Sequence, residues 1–359
     1  MSAKFKILKR EVSDKYKPLV VLEISANHGN SLNKTIKTID AASKIGAECV
    51  KFQTFNVDDM TLNIPKKEFL IKKKFSNNRW NSRSLYNLYS EAQFPYEWHQ
   101  EVFNRVREKK MICFSSVFDE KSLEFLEKLN CPAYKIASLE SLHFSLIAKV
   151  FETKKPVIIS TGTLTINEIG SLVKFIKKNN YKNYSILHCV SEYPANNKNI
   201  NLKMIDYLRK KYKCVVGFSD HTRGLGAAIS SVAFGANVIE KHFKLKEDKK
   251  NLDNDFSITP KEAEIHRKLG TSLMGLGKLE EAVSSFNLAL SIEPNLASAF
   301  YGLGMTLGKQ GKLEDTIMTY KHVLAIEPDH VDCFINLSQI KSQLLDLNFK
   351  TLDLDIIKN

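Results

Sequence analysis

Eight short apolar runs, separated by stretches with the period of an amphipathic helix, dominate the first 260 or so residues. Apolar runs that alternate with helical stretches are typical of βα units and a parallel sheet. Eight such units favour a closed (β/α)8 TIM barrel over an open doubly wound sheet, and no GxGxxG motif follows the first run. The predicted strands are LVVLEISAN (19–27), ECVKFQTF (48–55), ICFSSV (112–117), AYKIAS (133–138), VIIST (157–161), YSILHCV (184–190), CVVGFSD (214–220) and NVIEKHF (237–243).

The C-terminal part of the chain repeats itself. GKLEEAVSSFNLALSIEPN, which begins at Gly277, returns as GKLEDTIMTYKHVLAIEPD from Gly311, 34 residues later. That spacing is the tetratricopeptide period, in which each repeat is a pair of helices. We therefore predict an α/β barrel over residues 1–262, an all-α tetratricopeptide-repeat domain with two full repeats and one partial repeat over 263–345, and a tail over 346–359.

Charge and hydropathy narrow the classes of partner. The formal net charge is +13, but the lysines are dispersed and form no basic stripe interleaved with aromatic residues, so we expect no nucleic-acid partner. A phosphorylated small molecule fits the charge better. The chain opens without a signal-peptide pattern, and no window approaches the roughly 18 apolar residues of a membrane span. We expect a cytoplasmic protein whose six scattered cysteines are reduced core thiols.

Polar residues follow the end of every predicted strand. In a TIM barrel the carboxyl ends of the strands meet at one face, where the active sites of this fold lie. The last two strands end in Asp220-His221 and Lys241-His242, and these strands are neighbours in a closed barrel. Paired neutral imidazoles suit an open divalent metal site, although a lone histidine at a strand end is more often a hydrogen-bonded core residue. We predict His221 and His242 as metal ligands.

Cationic and hydroxyl side chains lie at the ends of other strands. They would suit a phosphate or a carboxylate, whereas each serine alone could simply cap the next helix. A lysine could instead form a Schiff base, as in class I aldolases, but hydroxyl neighbours favour recognition of a charged ligand. The long spacing between the second and third strands predicts an insertion or active-site lid around 56–95. The predicted anion-binding residues are Lys51, Lys135, Ser115, Ser138, Ser160 and Ser219.

These motifs resemble the sialic acid synthase family over roughly residues 15–262, and its pseudaminic acid synthase branch most of all. The branch is suggested by SANH, QTFNVDDMTL and the segment Pro-Tyr-Glu-Trp-His, whereas HCVSEYPA also resembles legionaminic acid synthases. The motifs in family order are EISANHGN, ECVKFQTFNVDDMTL, LYSEAQFPYEWH, FSSVFD, YKIASLE, ISTGT, HCVSEYPA, GFSDHT, VIEKHF and LDNDFSITP.

The resemblance implies a condensation of phosphoenolpyruvate with the open-chain aldehyde of an N-acetylated amino sugar. For the pseudaminic branch that sugar is a 2,4-diacetamido-2,4,6-trideoxyhexose of the 6-deoxy-AltdiNAc type, and the products are a nonulosonic acid and phosphate. A divalent cation, Mn²⁺ or Mg²⁺, would be held by His221 and His242 and would polarise the aldehyde oxygen. The family positions around phosphoenolpyruvate correspond to Lys51, Lys135, Ser138, Ser160 and Ser219.

The resemblance also assigns roles to acidic and aromatic residues. Glu140 matches the acid that handles the water added at C2, and Glu23 is predicted to act in catalysis beside the two histidines. Glu23, Gln53 and Asp253 match positions near the metal and the sugar hydroxyls. Tyr193, in the strand-end motif HCVSEYPA, is predicted to contact the substrate.

The chain departs from the family pattern in three places. Val117 replaces a usual proline, and Asn251-Leu252 replaces a usual glycine. The repeats occupy the place of an antifreeze-like domain that, in the family, crosses a dimer and lends an arginine to the N-acetyl group. We expect a homodimer by analogy and a protein partner for the repeats. Alternatives are an N-acetylneuraminate or legionaminic acid synthase, another metal-dependent aldolase, and a catalytically weak barrel that acts as a scaffold.

Overall fold

The computed structural model describes residues 3–71, 80, 82–246, 251–260, 264–292 and 296–340. The chain divides into two compact units, residues 1–262 and 263–359. Within the described residues, no helix is both long enough and apolar enough to cross a bilayer.

The first unit is a closed barrel of eight parallel strands, preceded by a short antiparallel hairpin. This confirms the predicted TIM barrel, and every barrel strand falls inside one of the eight apolar runs. Chain neighbours are barrel neighbours, and the last strand pairs with the first. The strands are β1 (Phe5–Ile7) and β2 (Arg10–Val12) in the hairpin, then β3 (Leu19–Glu23), β4 (Cys49–Thr54), β5 (Ile112–Val117), β6 (Tyr134–Ile136), β7 (Val157–Ser160), β8 (Tyr184–Cys189), β9 (Val215–Asp220) and β10 (Val238–His242) in the barrel.

Helices follow the strands, and several have side-chain caps encoded locally. The Ser31 side chain accepts the backbone N–H of Lys34 at the start of α1, and a capping box joins Thr165 to Glu168 at the start of α7. Such caps satisfy backbone donors that the first turn leaves unpaired. The helices of this unit are α1 (Leu32–Lys44), α2 (Val57–Met60), α3 (Leu85–Ala92), α4 (His99–Glu108), α5 (Glu120–Lys128), α6 (Phe144–Glu152), α7 (Ile166–Lys178), α8 (Lys203–Tyr212) and α9 (Gly226–Ala233).

The hairpin β1–β2 closes the amino-terminal end of the barrel, an element that the sequence patterns did not predict. The backbone N–H of Lys6 donates to Asn183 Oδ1 at 2.7 Å, and Arg10 Nε donates to Glu48 Oε2 at 2.6 Å. Asn183 and Glu48 lie immediately before β8 and β4, so both contacts fall at the amino ends of the strands. Phe5 and other apolar residues of the hairpin are buried.

A glycine allows β9 and β10 to approach closely. A β-carbon at Gly217 would collide with the carbonyl oxygen of Val238 and with the Leu187 side chain. Any larger residue would push the two strands apart. This close approach helps to set the positions of the two strand ends that carry His221 and His242.

The second unit consists of antiparallel helix pairs and matches the predicted repeats. The Phe286 ring is fully buried, and β-carbons at Gly270 or Gly302 would press on it. Gly277 and Gly311 have φ of 73° and 75° in the turns between helices, a conformation that favours glycine. The helices are α10 (Glu264–Gly275), α11 (Leu279–Ile292), α12 (Ala297–Lys309) and α13 (Leu313–Ile326), and residues 331–340 are also helical.

Candidate active site

A cavity of about 370 Å³ opens at the carboxyl ends of the barrel strands. Every residue predicted for the site lines it except Ser115. Parallel strands with matched registers bring these ends together, although the residues are up to 230 positions apart in the chain. The sequence-predicted residues on the cavity wall are Glu23, Lys51, Gln53, Lys135, Ser138, Glu140, Ser160, Tyr193, Ser219, His221, His242 and Asp253.

Ser115 was predicted to bind substrate, and the structure corrects this assignment. Its Oγ lies 2.7 Å from Thr54 Oγ1, which in turn lies 2.8 Å from His99 Nε2, in a fully buried network outside the cavity. Because side chains alternate along a strand, the next residue, Ser116, faces the cavity instead. We therefore move the proposed substrate contact from Ser115 to Ser116. The Oγ of Ser116 accepts a hydrogen bond from Lys51 Nζ at 3.2 Å.

Two lysines and two carboxylates form a buried ionic network on the cavity floor. Lys135 Nζ donates to both oxygens of Glu240, at 2.7 and 2.8 Å, and Ser219 Oγ donates to Glu240 Oε1 at 2.9 Å. Lys51 Nζ contacts Glu23 Oε2 and lies 3.5 Å from Glu240 Oε2. The charges of opposite sign hold the two ammonium groups at fixed positions in a buried site.

The network determines the ionisation of its members. Burial opposes the charged form of Glu240, but Lys135, Lys51 and the Ser219 hydroxyl lower its pKa strongly. Burial also opposes the ammonium of Lys51, yet Glu23 and Glu240 raise its pKa above the ordinary value. Burial lowers the pKa of Lys135 and raises that of Glu23. Lys51 is thus held as a cation beside an anionic Glu240.

Hydroxyl groups adjoin this network at the ends of β6, β7 and β8. The backbone N–H of Gly162 donates to Ser138 Oγ at 3.0 Å. Within the described part of the chain, Ser160 Oγ and Ser191 Oγ are buried without a hydrogen-bond partner. A buried hydroxyl without a hydrogen-bond partner destabilises the folded state, so both groups are suited to donate hydrogen bonds to an anionic ligand.

Glycine is required where these hydroxyls converge. A β-carbon at Gly162 would lie 2.6 Å from Ser191 Oγ and 3.0 Å from Ser138 Oγ. Only a residue without a side chain leaves the space between the two serines open. The arrangement is a cradle of hydroxyl groups and a nearby ammonium group, which suits a phosphate or a carboxylate.

The two histidines converge on the cavity as predicted from their strand ends. Their ring centroids are 5.4 Å apart. His221 Nδ1 lies 3.0 Å from the carbonyl oxygen of Val190, and His242 Nδ1 lies 3.1 Å from Asp253 Oδ2. Carbonyl and carboxylate oxygens can only accept hydrogen bonds, so each Nδ1 is the donor and each Nε2 is the nitrogen left for a ligand.

Burial, with a smaller contribution from His242, lowers the pKa of His221 to about 3 and keeps this ring neutral. Burial opposes the charged form of Asp253, but His242 and hydrogen bonds from Ala26 and Ser25 lower its pKa. Ser25 has a φ of 39°, an unusual conformation for a residue other than glycine. The strained turn places Ser25 against Asp253, which orients His242.

The side chains of His221 and His242 fit a divalent cation that has only part of its ligands from the protein. Neutral imidazoles with their second nitrogen fixed by an oxygen are the usual form of histidine at a metal. In the described ranges, no group of three or more His, Cys, Asp or Glu side chains has the geometry of a metal site. Glu23 Oε1 is buried nearby without a hydrogen-bond partner among the described residues. Such a site leaves coordination positions for water or substrate.

Glu140 occupies a different environment on the cavity wall. Burial raises its pKa to about 7. Its Oε2 is buried without a hydrogen-bond partner among the described residues, and its charge contributes to raising the pKa of Tyr89. A carboxyl group poised near neutral pH is suited to accept and return a proton.

The mouth of the cavity is apolar, a property that the sequence patterns missed. Phe55 contacts Phe118 and Tyr89, with ring centroids 5.3 and 6.0 Å apart. Across the cavity, Trp80 packs against Tyr193 at 5.7 Å and Phe256 at 6.3 Å. Trp80 and Tyr89 lie in the predicted 56–95 insertion, whose remaining residues 72–79 and 81 are outside the described residues.

Sequence reasoning also left Glu240 out of the site. The available signal was its position two residues before His242 on the same strand, because side chains two apart share a face. Phe256 has no comparable signal. Its ring lies 4.7 Å from that of His242 and 6.0 Å from that of His221, and it shields both from solvent.

A closed eight-stranded barrel with a charged cavity at the carboxyl ends of its strands defines this unit as a TIM barrel with a candidate active site in the usual place for this fold. The chain belongs to the NeuB family, whose model matches residues 38–272. Family models described as TPR repeat and tetratricopeptide repeat match residues 271–311 and 297–330.

Relatives of known name support this membership. The chain is 40% identical over 242 residues to a pseudaminic acid synthase of Campylobacter jejuni, covering 67% of this chain and 69% of that protein. It is 38% identical over 241 residues to that of Helicobacter pylori, with coverage of 67% and 70%. The crystal structure of an N-acetylneuraminic acid synthetase from Leptospira borgpetersenii, in complex with citrate, matches with a TM-score of 0.67 at 28% identity and covers 77% of this chain and 91% of that chain.

Proposed function

We propose that this protein is a nonulosonic acid synthase of the pseudaminic type. It condenses phosphoenolpyruvate with a 2,4-diacetamido-2,4,6-trideoxyhexose and releases phosphate. The observation that carries the proposal is the convergence of His221 and His242, each with Nδ1 fixed by an oxygen, on the cavity that holds Lys51 and Lys135. The similarity to pseudaminic acid synthases supports the choice of sugar.

Phosphoenolpyruvate would bind on the cavity floor. Its phosphate and carboxylate would accept hydrogen bonds from the hydroxyls of Ser160 and Ser191 and contact Lys135. Lys51 and Ser116 complete this surface. Fixing the donor in a defined position removes much of the entropic cost of bringing two reactants together. The ionic network with Glu240 keeps the lysines in position before the donor arrives.

His221 and His242 would hold a Mn²⁺ or Mg²⁺ ion, which when bound polarises the aldehyde oxygen of the sugar. Asp253 keeps the His242 ring oriented. Gln53 and Glu23 face the same space and would contact sugar hydroxyls.

The reaction forms a carbon–carbon bond and a bond between C2 and the oxygen of water, and it breaks the bond between C2 and the phosphate oxygen. One proton of the water ends on the former aldehyde oxygen and the other leaves with phosphate. C3 of phosphoenolpyruvate attacks the aldehyde carbon, water adds at C2, and phosphate leaves as C2 becomes a ketone. Glu140 is the group we assign to the water: with its pKa at about 7 it takes the proton as water attacks and returns it as phosphate departs.

The repeat unit would bind a protein partner, which is the usual use of such arrays. Its described surface exposes Met318, Val331, Phe334 and Ile335. This role is compatible with turnover by the barrel.

A phosphate-release assay tests the proposal. Purified full-length protein is incubated with phosphoenolpyruvate and a panel of acetamido sugars, with Mn²⁺ or with EDTA. We expect metal-dependent phosphate release with the diacetamido trideoxyhexose. Release with N-acetylmannosamine or a legionaminic precursor alone would reassign the sugar. Consumption of pyruvate, supplied in a parallel incubation in place of phosphoenolpyruvate, would indicate an aldolase, and no reaction with any sugar would favour the scaffold.

A further inference from the structure

The cavity is divided by chemistry along its depth. Lys51, Lys135, Ser219 and Glu240 lie on barrel strands and form its floor, whereas Phe55, Tyr89, Phe118 and Leu139 follow the strand ends and lie nearer its mouth. One side of the mouth is a patch that we call the methyl rim. The methyl rim consists of Phe55, Tyr89, Phe118 and Leu139.

Leu139 is the exposed member of the methyl rim. It lies between two cavity residues, Ser138 and Glu140, and 72% of its surface is accessible. A single exposed leucine on a protein surface needs no explanation. Here Leu139 lines the same cavity as the aromatic cluster of Phe55, Tyr89 and Phe118, so a ligand that fills this part of the cavity would cover both.

The opposite wall of the mouth is apolar as well. Leu88, Leu252 and Ala26 form a buried cluster against which Trp80 packs. Among the described residues that line the cavity, none is an arginine. A ligand hydroxyl placed against Leu139, Phe55 and Phe118 would exchange water for carbon neighbours and lose hydrogen bonds, whereas a methyl group there would gain from burial.

The position of the reacting end decides which part of the sugar meets the mouth. The aldehyde must lie near His221, His242 and the donor on the floor. The far end of the extended sugar chain therefore projects toward the mouth. In a 6-deoxy sugar this end is a methyl group, and in an ordinary hexose it is a hydroxymethyl group.

We propose that the methyl rim is a specificity-determining subsite that selects acceptor sugars with a methyl group at C6 over those with a hydroxyl there. This inference rests on the proposed function, since it names the acceptor class of the same site.

The test compares two acceptors that differ only at C6, methyl against hydroxymethyl, in full-length protein. The wild type should prefer the methyl sugar by about 10- to 200-fold in kcat/KM, the range for one small group in an apolar site. Leu139→Ser should reduce that preference at least about fivefold and leave the KM for phosphoenolpyruvate unchanged. Leu142→Ser, on the same loop but outside the cavity lining, is the matched control and should keep the full preference.

A binding measurement separates this inference from the proposed function. The alditols of the same two sugars cannot react, so their affinities are measured by calorimetry whether or not turnover occurs. Equal affinities, tighter binding of the hydroxymethyl compound, or a preference that Leu139→Ser leaves unchanged would overturn the inference. Absence of phosphate release with tighter binding of the methyl alditol would overturn the synthase and leave the subsite standing.

Discussion

Asp220 and Lys241 form a fully buried ion pair, with Oδ2 and Nζ 3.0 Å apart. Each residue immediately precedes a cavity histidine on neighbouring strands. Because side chains alternate along a strand, the ion pair faces away from the cavity while His221 and His242 face into it. The pair is also tied to the loop, since Asp220 Oδ1 accepts the Thr222 N–H at 2.8 Å. It therefore joins the two strand ends directly behind the site.

Removing one partner of this pair should be costly. Asp220→Asn leaves the Lys241 ammonium buried without its carboxylate and should lower the free energy of barrel unfolding by about 3–5 kcal/mol. Asp206→Asn removes a surface pair with Lys210 and should cost less than about 1 kcal/mol. Both tryptophans, Trp80 and Trp98, belong to the barrel, so urea unfolding followed by their fluorescence measures it. Equal losses in the two variants would contradict this view of the pair.

His221→Ala should abolish metal-dependent turnover and leave the fold intact. Loss of one of two imidazole ligands should weaken Mn²⁺ binding at least about tenfold, measured by titration with the metal. His143→Ala, at an exposed histidine outside the cavity, should change neither quantity. An unchanged rate in His221→Ala would remove this histidine from the mechanism.

Glu140 should control the pH dependence of catalysis. Its pKa is about 7 because of burial, with Tyr89 the titratable neighbour that senses its charge, so kcat/KM should change through a limb near pH 7. Glu140→Gln should remove that limb and lower kcat by about 10²- to 10⁴-fold. A pH–rate profile on both proteins decides the matter, and a limb that persists in the variant would assign it to another group.

The same carboxyl group should affect stability with a defined sign. Its pKa rises on folding from 4.5 to about 7, so the folded state favours the protonated form. Its stabilising contribution is complete below pH 4.5 and is lost as pH rises through about 7. Wild-type stability should therefore fall across this range relative to Glu140→Gln, as measured by urea unfolding at pH 5 and pH 8.

Gly162→Ala should impair binding of the phosphorylated donor. The new methyl group would lie between Ser138 and Ser191, so the KM for phosphoenolpyruvate should rise at least about tenfold by loss of anion contacts. Gly170→Ala, in α7, meets only Tyr212 Oη at 3.6 Å and should not change this KM. Steady-state kinetics at saturating sugar gives both values, and equal KM values would place the donor elsewhere.

Adjacent serines on β5 should behave differently. Ser115→Ala breaks the buried contact with Thr54 and should cost about 1 kcal/mol of barrel stability without raising the KM for phosphoenolpyruvate. Ser116→Ala removes the partner of Lys51 at the cavity and should raise that KM. The reverse pattern would restore Ser115 as the substrate contact.

The sequence predicted the barrel well because each strand is a continuous apolar run with a polar end. The same continuity concealed the orientation of ICFSSV, since a strand buried on both faces shows no alternation, and so Ser115 was chosen over Ser116. The hairpin was missed because two three-residue strands are too short to show a period. Trp80 and Tyr89 reach the cavity from an insertion, where placement depends on tertiary contacts and not on a repeating pattern.

Because the interior of a TIM barrel is filled by side chains, the cavity at the carboxyl ends of the strands does not continue through the barrel to the hairpin at the amino-terminal end. Substrates and products both have to pass the apolar mouth, so the ligand that binds deepest must bind first and leave last. The small phosphorylated molecule would therefore bind before the bulkier sugar, and a sugar that bound first would block its access to the cavity floor.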